Sequence, residues 1–407
     1  MEQQHLKHTP NLSLIDISLP SSKSETNRAL ILNAFCNNKG VIDNISEARD
    51  SQTMVRLLAS KEDVLDVIDA GTTMRFLTAY MAVGANTKSL TGTKRMQHRP
   101  IGILVNALND LGANITYDKK EGYPPLTINP FTNQQNSILK IRGDQSSQFI
   151  SALLMIAPKL PKGLKLELEG HVGSKPYIQM TLDLMTRFGI ESDWNGDTIN
   201  IPPQNYIPAS YSIESDWSGA SYWYALVALS TSATIKLLGL RQNSTQGDIA
   251  IVSIMNQLGV MSTFEKDGVL LEKIPYSSEV AFDFSDCPDL AQTVAVTCAA
   301  KRILCQMTGL ESLRIKETDR IKALKSELKK LNTSFKEVEN GKWELNSNFE
   351  AGSNALSFET YEDHRMAMAF APLATLQDIT IVDPGVVAKS YPKFWEDLEK
   401  AGFNTKH

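Results

Sequence analysis

Short runs of alternating apolar and polar residues recur along the chain, and each is followed by a polar corner and an apolar segment of helical length. Val64–Ile68 and Val280–Phe284 show the alternation, which is typical of a strand buried on one face. Five of the corners begin at intervals of 75, 72, 73 and 74 residues, at Asp69, Asp144, Asp216, Asp289 and Asp363. Because Asp is a favoured N-cap, each corner predicts the start of a helix.

A second set of landmarks lies between these corners. An amphipathic helix ends in Gly or Asn, as helix C-caps do, and a two-stranded stretch follows; the pairs are Leu111-Gly112, Phe188-Gly189, Leu258-Gly259 and Leu331-Asn332. A further strand separates the two helices, as in Leu164–Leu168 and Thr234–Leu238. One repeat is therefore strand–helix–strand–helix–hairpin, and the chain holds about six such repeats.

The first and last repeats depart from this order. Lys23 and Asp69 are only 46 residues apart, and the polar segment Ser60–Asp63 replaces the hairpin of the first repeat. The last repeat reaches His407 after its second helix, so its hairpin is either absent or supplied by Leu12–Leu19. One repeat cannot bury a core alone, and the sequence lacks the polar capping repeats of an open solenoid. The pattern thus predicts an α/β protein of two similar domains, each with three repeats.

Composition and charge narrow the classes of function. The 407 residues are 42% hydrophobic and 21% charged, with a net charge of −5 and a pI of about 5.8. An acidic protein is a poor partner for nucleic acid or an anionic membrane. The first residues form no apolar leader, and no segment reaches the length of a membrane span. The four scattered cysteines suit reduced thiols, so a cytoplasmic location is expected.

Several of the helix starts carry positive charge, which is unusual. The clearest are Ser22–Arg28, Lys316–Arg320 and Asp363–Met366. A helix N-terminus already presents free N–H groups and partial positive charge, so Lys and Arg are unfavourable there. Like charges one turn apart, as at Lys316 and Arg320, also repel each other. Cations at several such positions predict a small, strongly anionic ligand that carries phosphate or carboxylate groups.

The first corner has both a functional and a simpler explanation. Lys23 and Arg28 could hold two oxygens of one oxyanion, with the Ser24 hydroxyl as a third donor. Alternatively, Ser22 merely caps a helix whose first turn is solvated. Lys389, before the terminal helix, has the same two explanations, and a solvated lysine is the default for it alone.

Two further corners suit a ligand that approaches the backbone closely. Gly71 would allow that approach, although small residues are common at helix starts. Arg95 and Arg99 lie in a strand-to-helix loop, and Pro100 after them suits the first turn of a helix. Such a basic loop is usually solvated, but here both arginines would flank another helix start.

Uncharged donors stand at two other corners. Ser146, Ser147 and Gln148 form one set, and Ser174 with the aromatic ring of Tyr177 forms the other. Hydroxyl and amide groups beside an aromatic face suit a hydroxylated ring that bears a phosphate. Capping serines explain each set equally well when the sets are taken singly.

Two acidic residues stand out among the cations. Asp289 could be an N-cap and Glu317 one partner of a surface ion network, or the two could be an acid–base pair. A carboxylate beside Lys316 and Arg320 should have a lowered pKa and stay ionised, so it would act as a base or stabilise a cation. The His364-Arg365 pair at the mouth of an apolar helix is a further unusual feature.

Ten motifs in order along the chain carry a resemblance to a known family. They are SKSETNR from Ser22, AGTTMR from Ala70, RMQHRP from Arg95, SSQF from Ser146, SKPY from Ser174, QGD from Gln246, PD from Pro288, RIKETDRI from Arg314, DHRMAM from Asp363 and AKSYP from Ala388. In this order and spacing the sequence resembles the 5-enolpyruvylshikimate-3-phosphate synthase family, the 3-phosphoshikimate 1-carboxyvinyltransferases of the shikimate pathway. RIKETDR followed by DHRMAM is the most specific part of the match.

The resemblance implies an inside-out α/β barrel in each of two domains, with six βαβαββ-like repeats of which the first lacks its hairpin. It places residues 21–214 in one domain, on the shikimate 3-phosphate side, and residues 1–20 with 215–407 in the other. Crossover hinges are expected near 20–21 and 214–216. Closure of the domains would then bring Lys23, Arg99 and the Ser146 segment against Glu317, Arg320, Arg365 and Lys389.

The resemblance also implies substrates and site residues. The phosphoenolpyruvate site would consist of Lys23, Gly71, Arg99, Gln148, Arg320, Arg365 and Lys389. The shikimate 3-phosphate site would consist of Ser24, Arg28, Ser146, Ser147, Gln148, Ser174, Tyr177, Asp289 and Lys316. Neither a cofactor nor a metal is implied, a monomer is expected, and glyphosate should compete with phosphoenolpyruvate.

Members of the family transfer the enolpyruvyl group through a tetrahedral ketal and release phosphate in aromatic amino-acid biosynthesis. The resemblance implies that Asp289 takes the proton of the attacking 5-hydroxyl. Lys23 and Glu317 would exchange the proton at the methylene carbon, and which of them donates it stays open. His364 would orient or shuttle, or simply serve as a donor at the helix start.

Three departures from the family pattern leave room for other functions. Asp69 and Ser312 stand where Asn is often found, and the hairpin of the first repeat is missing. These features would suit a catalytically idle anion-binding paralogue, although the cations and both carboxylates of the site are present.

A UDP-N-acetylglucosamine enolpyruvyl transferase is the nearest alternative enzyme. It would usually have Lys-Asn at the first corner and a cysteine near Arg95, whereas this chain has Lys23-Ser24 and no cysteine there.

Overall fold

The computed structural model of the chain describes residues 2–144 and 146–406, and these divide into two compact units. The central unit is Ser22–Ile213, and the split unit combines Met1–Ser21 with Glu214–His407. The chain therefore passes from one unit to the other twice. Hinge motion at these two crossings stays a prediction.

The repeats contain two helices each, apart from short 3₁₀ turns. In chain order the helices are α1 (Lys23–Phe35), α2 (Arg49–Leu58), α3 (Gly71–Ala82), α4 (Gly102–Asp110), α5 (Ser147–Ile156), α6 (Lys175–Arg187), α7 (Trp217–Leu229), α8 (Ile251–Leu258), α9 (Ala291–Lys301), α10 (Arg320–Leu328), α11 (His364–Phe370) and α12 (Phe394–Lys400). Among the residues that the structure describes, none of these helices combines the length and apolar character that a bilayer crossing needs.

Short strands connect the helices. In chain order the strands are β1 (Gln3–Leu6), β2 (Asn11–Ser18), β3 (Val41–Asp43), β4 (Val64–Asp66), β5 (Lys88–Thr91), β6 (Asn114–Tyr117), β7 (Leu126–Asn129), β8 (Ile138–Arg142), β9 (Leu164–Glu169), β10 (Asp193–Asn195), β11 (Thr198–Ile201), β12 (Ser210–Ser212), β13 (Ser232–Leu238), β14 (Val260–Glu265), β15 (Gly268–Lys273), β16 (Glu279–Asp283), β17 (Leu304–Thr308), β18 (Thr333–Glu339), β19 (Lys342–Ser347), β20 (Leu356–Phe358), β21 (Ile379–Val382) and β22 (Thr405–Lys406).

The central unit contains two four-stranded sheets and one two-stranded sheet. The larger sheets have the orders β4-β5-β7-β6 and β10-β11-β9-β8. In each, two parallel strands are joined through a helix, and a hairpin completes the sheet. The first repeat has only the parallel pair β12-β3, which confirms that its hairpin is missing.

The split unit contains three four-stranded sheets, with the orders β14-β15-β13-β2, β16-β17-β19-β18 and β20-β21-β1-β22. The last sheet corrects the sequence prediction about the final repeat. Its hairpin position is filled by β1 and β22 from the two ends of the chain, both antiparallel to their neighbours, and not by Leu12–Leu19. That segment forms β2, which pairs in parallel with β13.

A strand precedes each of the two crossings, and it pairs with a strand of the unit from which the chain then departs. β2 precedes the first crossing and pairs with β13 of the split unit, while β12 precedes the second crossing and pairs with β3 of the central unit. The helices α1 and α7 then begin directly after the crossings. Strand and helix of these two repeats therefore belong to different units, which the alternation of the sequence alone does not predict.

The helices, not the sheets, form the interior of each unit. In α7, 12 of 13 residues are buried, including Trp217 and Trp223, and in α9 9 of 11 are buried. The strands instead alternate, as in β8 and β16, where every second residue is exposed. A helix that is apolar all round must be enclosed, whereas a sheet with one polar face lies at the surface. This arrangement confirms the predicted inside-out barrel.

The predicted helix boundaries are right in some corners and wrong in others. Asp216 and Asp363 cap α7 and α11 by accepting from Gly219 N and Arg365 N. The other three aspartates do not cap: α3 follows Ala70, α5 is capped by Ser146, and Asp289 lies in a 3₁₀ turn. Pro100 is not a first-turn residue either, since α4 begins at Gly102.

The predicted helix ends are confirmed. The predicted C-cap residues Gly112, Gly189, Gly259 and Asn332 all have positive φ.

Candidate active site

Lys23 is the first residue of α1 in the central unit. The Ser22 hydroxyl accepts from Glu25 N at 3.4 Å, so the expected cap is present. The ammonium of Lys23 lies 3.5 Å from the carboxylate of Asp50, which is buried in the first turn of α2. A mostly buried carboxylate therefore fixes the lysine at the helix start.

Arg28 is fully buried one turn after Ser24, and its guanidinium is directed mainly at protein acceptors. It donates to Thr181 Oγ1 at 2.7 Å, to Ser151 Oγ at 3.0 Å, and to the carbonyl oxygens of Ser24 and Tyr177 at 2.9 and 3.3 Å. Burial lowers the pKa of Arg28 to about 10, although the neighbouring Tyr177 and Glu25 favour its charged form. Arg28 thus connects α1, α5 and α6 near their starts. Its hydrogen bonds stabilise this region, and its guanidinium could also bind an anion.

Two guanidinium groups converge on the start of α3. A Cβ atom at Gly71 would lie only 2.5 Å from Arg99 Nη1 and 2.7 Å from Arg75 Nη1. Arg75 also donates to the carbonyl oxygen of Gly71 at 2.9 Å. Glycine is therefore required here because two arginine side chains approach it closely, and the approach of a ligand to this backbone stays a prediction. Two cations at a helix N-terminus repel each other and the helix dipole, which is a favourable setting for an anion.

The uncharged donors of the central unit lie at the starts of α5 and α6. Ser146 caps α5 by accepting from Gln148 N, and the amide of Gln148 donates to Thr72 Oγ1 at 3.0 Å. Ser147 is the first residue of the same helix. Ser174 is the last loop residue before α6 and has a left-handed backbone at φ 55°. Its side chain does not cap the helix.

In the split unit, Arg320 is the centre of a compact charged group. It is 2% exposed and donates to Asp363 Oδ2 at 2.7 Å, Glu317 Oε2 at 2.8 Å and Asp289 Oδ1 at 2.9 Å. Burial alone would lower the pKa of Arg320, but the three carboxylates raise it above its ordinary value. Since Arg320 is engaged with three carboxylates, its main effect is to position them.

Asp289 is held from a second side. Arg365 donates from Nη2 to Asp289 Oδ2 at 2.7 Å and from Nη1 to the Asp289 carbonyl oxygen at 3.3 Å. Burial alone would raise the pKa of Asp289, yet Arg365, Lys316 and Arg320 together hold it well below its usual range. Asp289 is therefore an oriented, ionised carboxylate, and the simpler reading of it as an N-cap is wrong.

The remaining predicted residues of the split unit surround this carboxylate. Lys389 is buried with its ammonium 3.9 Å from Glu317 Oε1, and the buried ring of His364 lies 3.7 Å from Asp363 Oδ1. Burial lowers the pKa of Lys316, which Asp289 opposes. We call Asp289, Lys316, Glu317, Arg320, Asp363, His364, Arg365 and Lys389 the acid–base cluster. Its four Lys and Arg side chains outnumber its three carboxylates, so it keeps an excess of positive charge that suits an anion.

Sequence reasoning missed three side chains that the structure places in these groups. Arg75 belongs to the AGTTMR motif and Asp363 opens DHRMAM, whereas Asp50 lies outside every motif, and the sequence marks none of the three as a site residue. Each is buried and touches a selected residue: Lys23, Gly71 and Arg320 respectively. For Asp50 and Asp363 the available signal was charge balance, because cations at a buried helix start need carboxylates nearby. The departure at Asp69 is also explained, since its carboxylate pairs with Arg49 at 2.8 Å.

Comparison with known proteins identifies the family. The model of the EPSP synthase family (3-phosphoshikimate 1-carboxyvinyltransferase) matches residues 56–398. A Bacteroides fragilis protein named 3-phosphoshikimate 1-carboxyvinyltransferase is 46% identical over 406 residues, which is 99% of both chains. A protein of the same name from Escherichia coli O17:K52:H18 is 34% identical over 415 residues, covering 94% of this chain and 95% of its own.

Solved structures agree on the fold. EPSP synthase from Acinetobacter baumannii has a TM-score of 0.77 at 18% identity and covers 100% of both chains. The enolpyruvyl transferase NikO from Streptomyces tendae has a TM-score of 0.73 at 12% identity, covering 99% of this chain and 98% of its own. The family match spans most of the sequence and the relatives align over nearly all of it, and so the chain belongs to the EPSP synthase family.

Proposed function

We propose that the protein transfers the enolpyruvyl group of phosphoenolpyruvate to the 5-hydroxyl of shikimate 3-phosphate, with release of phosphate, in chorismate biosynthesis. Membership of the family supports this reaction, and the relatives' names describe it. The observation that carries it is Asp289, an ionised carboxylate oriented by Arg365 and Arg320 inside a group with excess positive charge. A base for a hydroxyl and cations for two phosphorylated substrates are what the reaction needs.

The side chains divide between the two substrates. Phosphoenolpyruvate would be bound by Lys23, Gly71, Arg99, Gln148, Arg320, Arg365 and Lys389. Shikimate 3-phosphate would be bound by Ser24, Arg28, Ser146, Ser147, Gln148, Ser174, Tyr177, Asp289 and Lys316. The hydrogen bonds of Arg28 and Arg320 to protein acceptors imply that both act largely by positioning neighbouring groups. Direct charge for the substrates would then come mainly from Lys23, Arg99, Arg365 and Lys389.

The proposed chemistry is addition followed by elimination. Asp289 accepts the proton of the 5-hydroxyl while the hydroxyl oxygen bonds to C2 of phosphoenolpyruvate, and the methylene carbon gains a proton to become a methyl group. The resulting ketal then loses phosphate and a methyl proton, which restores the double bond. Lys23 and Glu317 would exchange the proton at that carbon, and His364 would orient or shuttle. Positive charge that develops at C2 would be stabilised by the nearby carboxylates.

Phosphate release tests this proposal. With phosphoenolpyruvate and shikimate 3-phosphate together the protein should release phosphate steadily, and neither substrate alone should suffice. Replacement of shikimate 3-phosphate by UDP-N-acetylglucosamine should abolish release. Turnover with the sugar nucleotide but not with shikimate 3-phosphate would overturn the proposed acceptor, and release from phosphoenolpyruvate alone would indicate a hydrolase.

The cysteines and the two hydrophobic cores bear on the compartment and the oligomeric state. The described cysteines are buried free thiols, as suits a reducing compartment, and we propose a cytoplasmic enzyme. We also propose that it acts as a monomer, since each unit supplies its own enclosed core. Sedimentation at several protein concentrations would test this, because a dimer would show a concentration-dependent mass.

A further inference from the structure

Asp248 is a buried carboxyl next to the acid–base cluster that the reaction proposed above does not use. It lies in the 3₁₀ turn Gly247–Ala250 and is 2% exposed. The Ser218 hydroxyl donates to its Oδ2 atom. Its Oδ1 atom is buried and makes no hydrogen bond within the part of the chain that the structure describes.

A single hydroxyl connects Asp248 to the cluster. Arg365 Nη2 lies 3.4 Å from Ser218 Oγ and 2.7 Å from Asp289 Oδ2, so one guanidinium nitrogen faces both the ionised carboxylate and the hydroxyl bound by Asp248. The turn that carries Asp248 is also fixed in place. Its neighbour Gln246 accepts from Trp217 N at 3.1 Å and donates to the Ser215 carbonyl oxygen at 2.8 Å.

The surroundings of Asp248 favour a neutral carboxylic acid. A buried carboxylate needs several donors, and here one oxygen has a single hydroxyl and the other has none. The nearest guanidinium, that of Arg365, donates to Asp289 and not to Asp248.

The groups that face Asp248 from each neighbouring element agree with this. Burial raises the pKa of Asp248 to about 7, and the charges of Asp289 and Asp216 add to the rise, while Arg365 and Ser218 oppose it. The Cys287 thiol also faces it and is kept protonated by burial. Asp248 therefore changes charge close to neutral pH.

We propose that Asp248 is a positioning residue for phosphoenolpyruvate binding, which it controls through Ser218 and Arg365. When neutral it leaves the charge of Arg365 to Asp289 and the substrate anion. Once ionised it adds a second negative charge beside the same guanidinium, so the affinity for an anionic substrate falls. This inference rests on the proposed function in one respect, the assignment of Arg365 to phosphoenolpyruvate.

Steady-state kinetics over a pH series test it, with D248N as the variant and D267N as the control. Asp267 pairs with Lys236 at an exposed site, so its substitution makes the same Asp-to-Asn change without touching the cluster. In the unsubstituted protein and in D267N, KM for phosphoenolpyruvate should rise about tenfold from about pH 6 to about pH 8. In D248N the rise should shrink to about twofold or less, with kcat at about pH 6 within roughly threefold of the unsubstituted value. An equal rise of KM in D248N would overturn the proposal.

Infrared difference spectroscopy gives a second readout that needs no substrate. A protonated carboxyl band should be lost as the pH is raised through about 7 in the unsubstituted protein and in D267N, and it should be missing from D248N. A spectrum without any carboxyl that titrates near neutral pH would overturn the proposal, and it can be read in the unsubstituted protein even if D248N does not fold. A protein that released no phosphate would contradict the proposed function. The infrared carboxyl band would still show whether Asp248 is protonated, so the two failures can be distinguished.

Discussion

Arg365 donates from Nη2 to Asp289 Oδ2 at 2.7 Å, while Arg320 donates to the other oxygen of the same carboxylate, Oδ1, at 2.9 Å. Protein groups therefore fix the orientation of both carboxylate oxygens. Its pKa is held well below the ordinary range by Arg365, Lys316 and Arg320 despite its burial. Such a group is ionised throughout the neutral range, so it can act as a proton acceptor and has no proton to donate.

Replacement of Asp289 by Asn should remove the base while preserving its shape. We expect kcat to fall by about 10²–10⁴-fold, the usual contribution of a positioned base, with a smaller change in KM for phosphoenolpyruvate. Arg320 keeps its contacts to Glu317 and Asp363, so the fold should persist. Steady-state kinetics beside the exposed control D267N would check this, and D289N with more than about a tenth of the original kcat would exclude Asp289 as the base.

Acid sensitivity follows from the same carboxylate. Its pKa in the folded protein is depressed relative to the unfolded value of about 3.9, so its contribution to the free energy of unfolding is present above about pH 4 and is lost as the pH falls. Urea denaturation midpoints should therefore fall more steeply below about pH 4 in the unsubstituted protein than in D289N. Parallel curves for the two proteins would contradict the assigned ionisation.

Much of the fold follows from the sequence because local rules determine it. The apolar segment Trp217–Leu229 can only be an enclosed helix, and Gly189 and Gly259 end helices because they adopt positive φ without strain. The closure of the last sheet by β1 and β22 is different, since β1 pairs with β21 and with β22, which lie about 375 and about 400 positions further along the chain. No local pattern records such a partner, and an alternating segment pairs equally well with several edges.

The sequence predicts which charged residues belong to the site, but not which of them contact each other. The sequence indicates which cations and carboxylates stand at the helix starts, but burial decides which of them meet. The resemblance assigns Arg320 to substrate binding, whereas its guanidinium is directed at three carboxylates of its own unit. The sequence predicts Asp363 as a helix N-cap, but not that it is the fully buried partner of Arg320.

Lys23→Met should abolish turnover, with a loss of kcat of at least about 10²-fold. From the sequence alone, little change in thermal stability is expected. The ion pair with buried Asp50 changes that, because the variant leaves a carboxylate without its cation and should lose about 1–3 kcal/mol of stability.

The double variant Lys23→Met/Asp50→Asn separates the two effects. With a neutral amide at position 50 the thermal midpoint should recover most of the loss, while turnover stays absent. Calorimetry and kinetics on both variants would check this. Recovery of activity in the double variant would exclude Lys23 from the chemistry.

Gly71→Ala should disturb phosphoenolpyruvate binding through Arg99. The added methyl group would lie 2.5 Å from Arg99 Nη1 and 2.7 Å from Arg75 Nη1, so both guanidinium groups must move. We expect KM for phosphoenolpyruvate to rise about tenfold, which corresponds to about 1.4 kcal/mol, with a smaller change in KM for shikimate 3-phosphate. Gly352→Ala is the matched control, since its nearest neighbouring atom would be 4.0 Å away. Similar kinetics in the two variants would argue against a role for Arg99 in binding this substrate.

The central claim is that a positioned base and surrounding cations carry out addition and then elimination at phosphoenolpyruvate. The most direct test is proton and phosphorus NMR of phosphoenolpyruvate and shikimate 3-phosphate in deuterium oxide with a catalytic amount of the protein. The account predicts one phosphate for each enolpyruvyl ether formed and deuterium in the methylene group of the product, because the intermediate passes through a methyl group. Transfer without deuterium in that group, or phosphate formed without the ether, would contradict it.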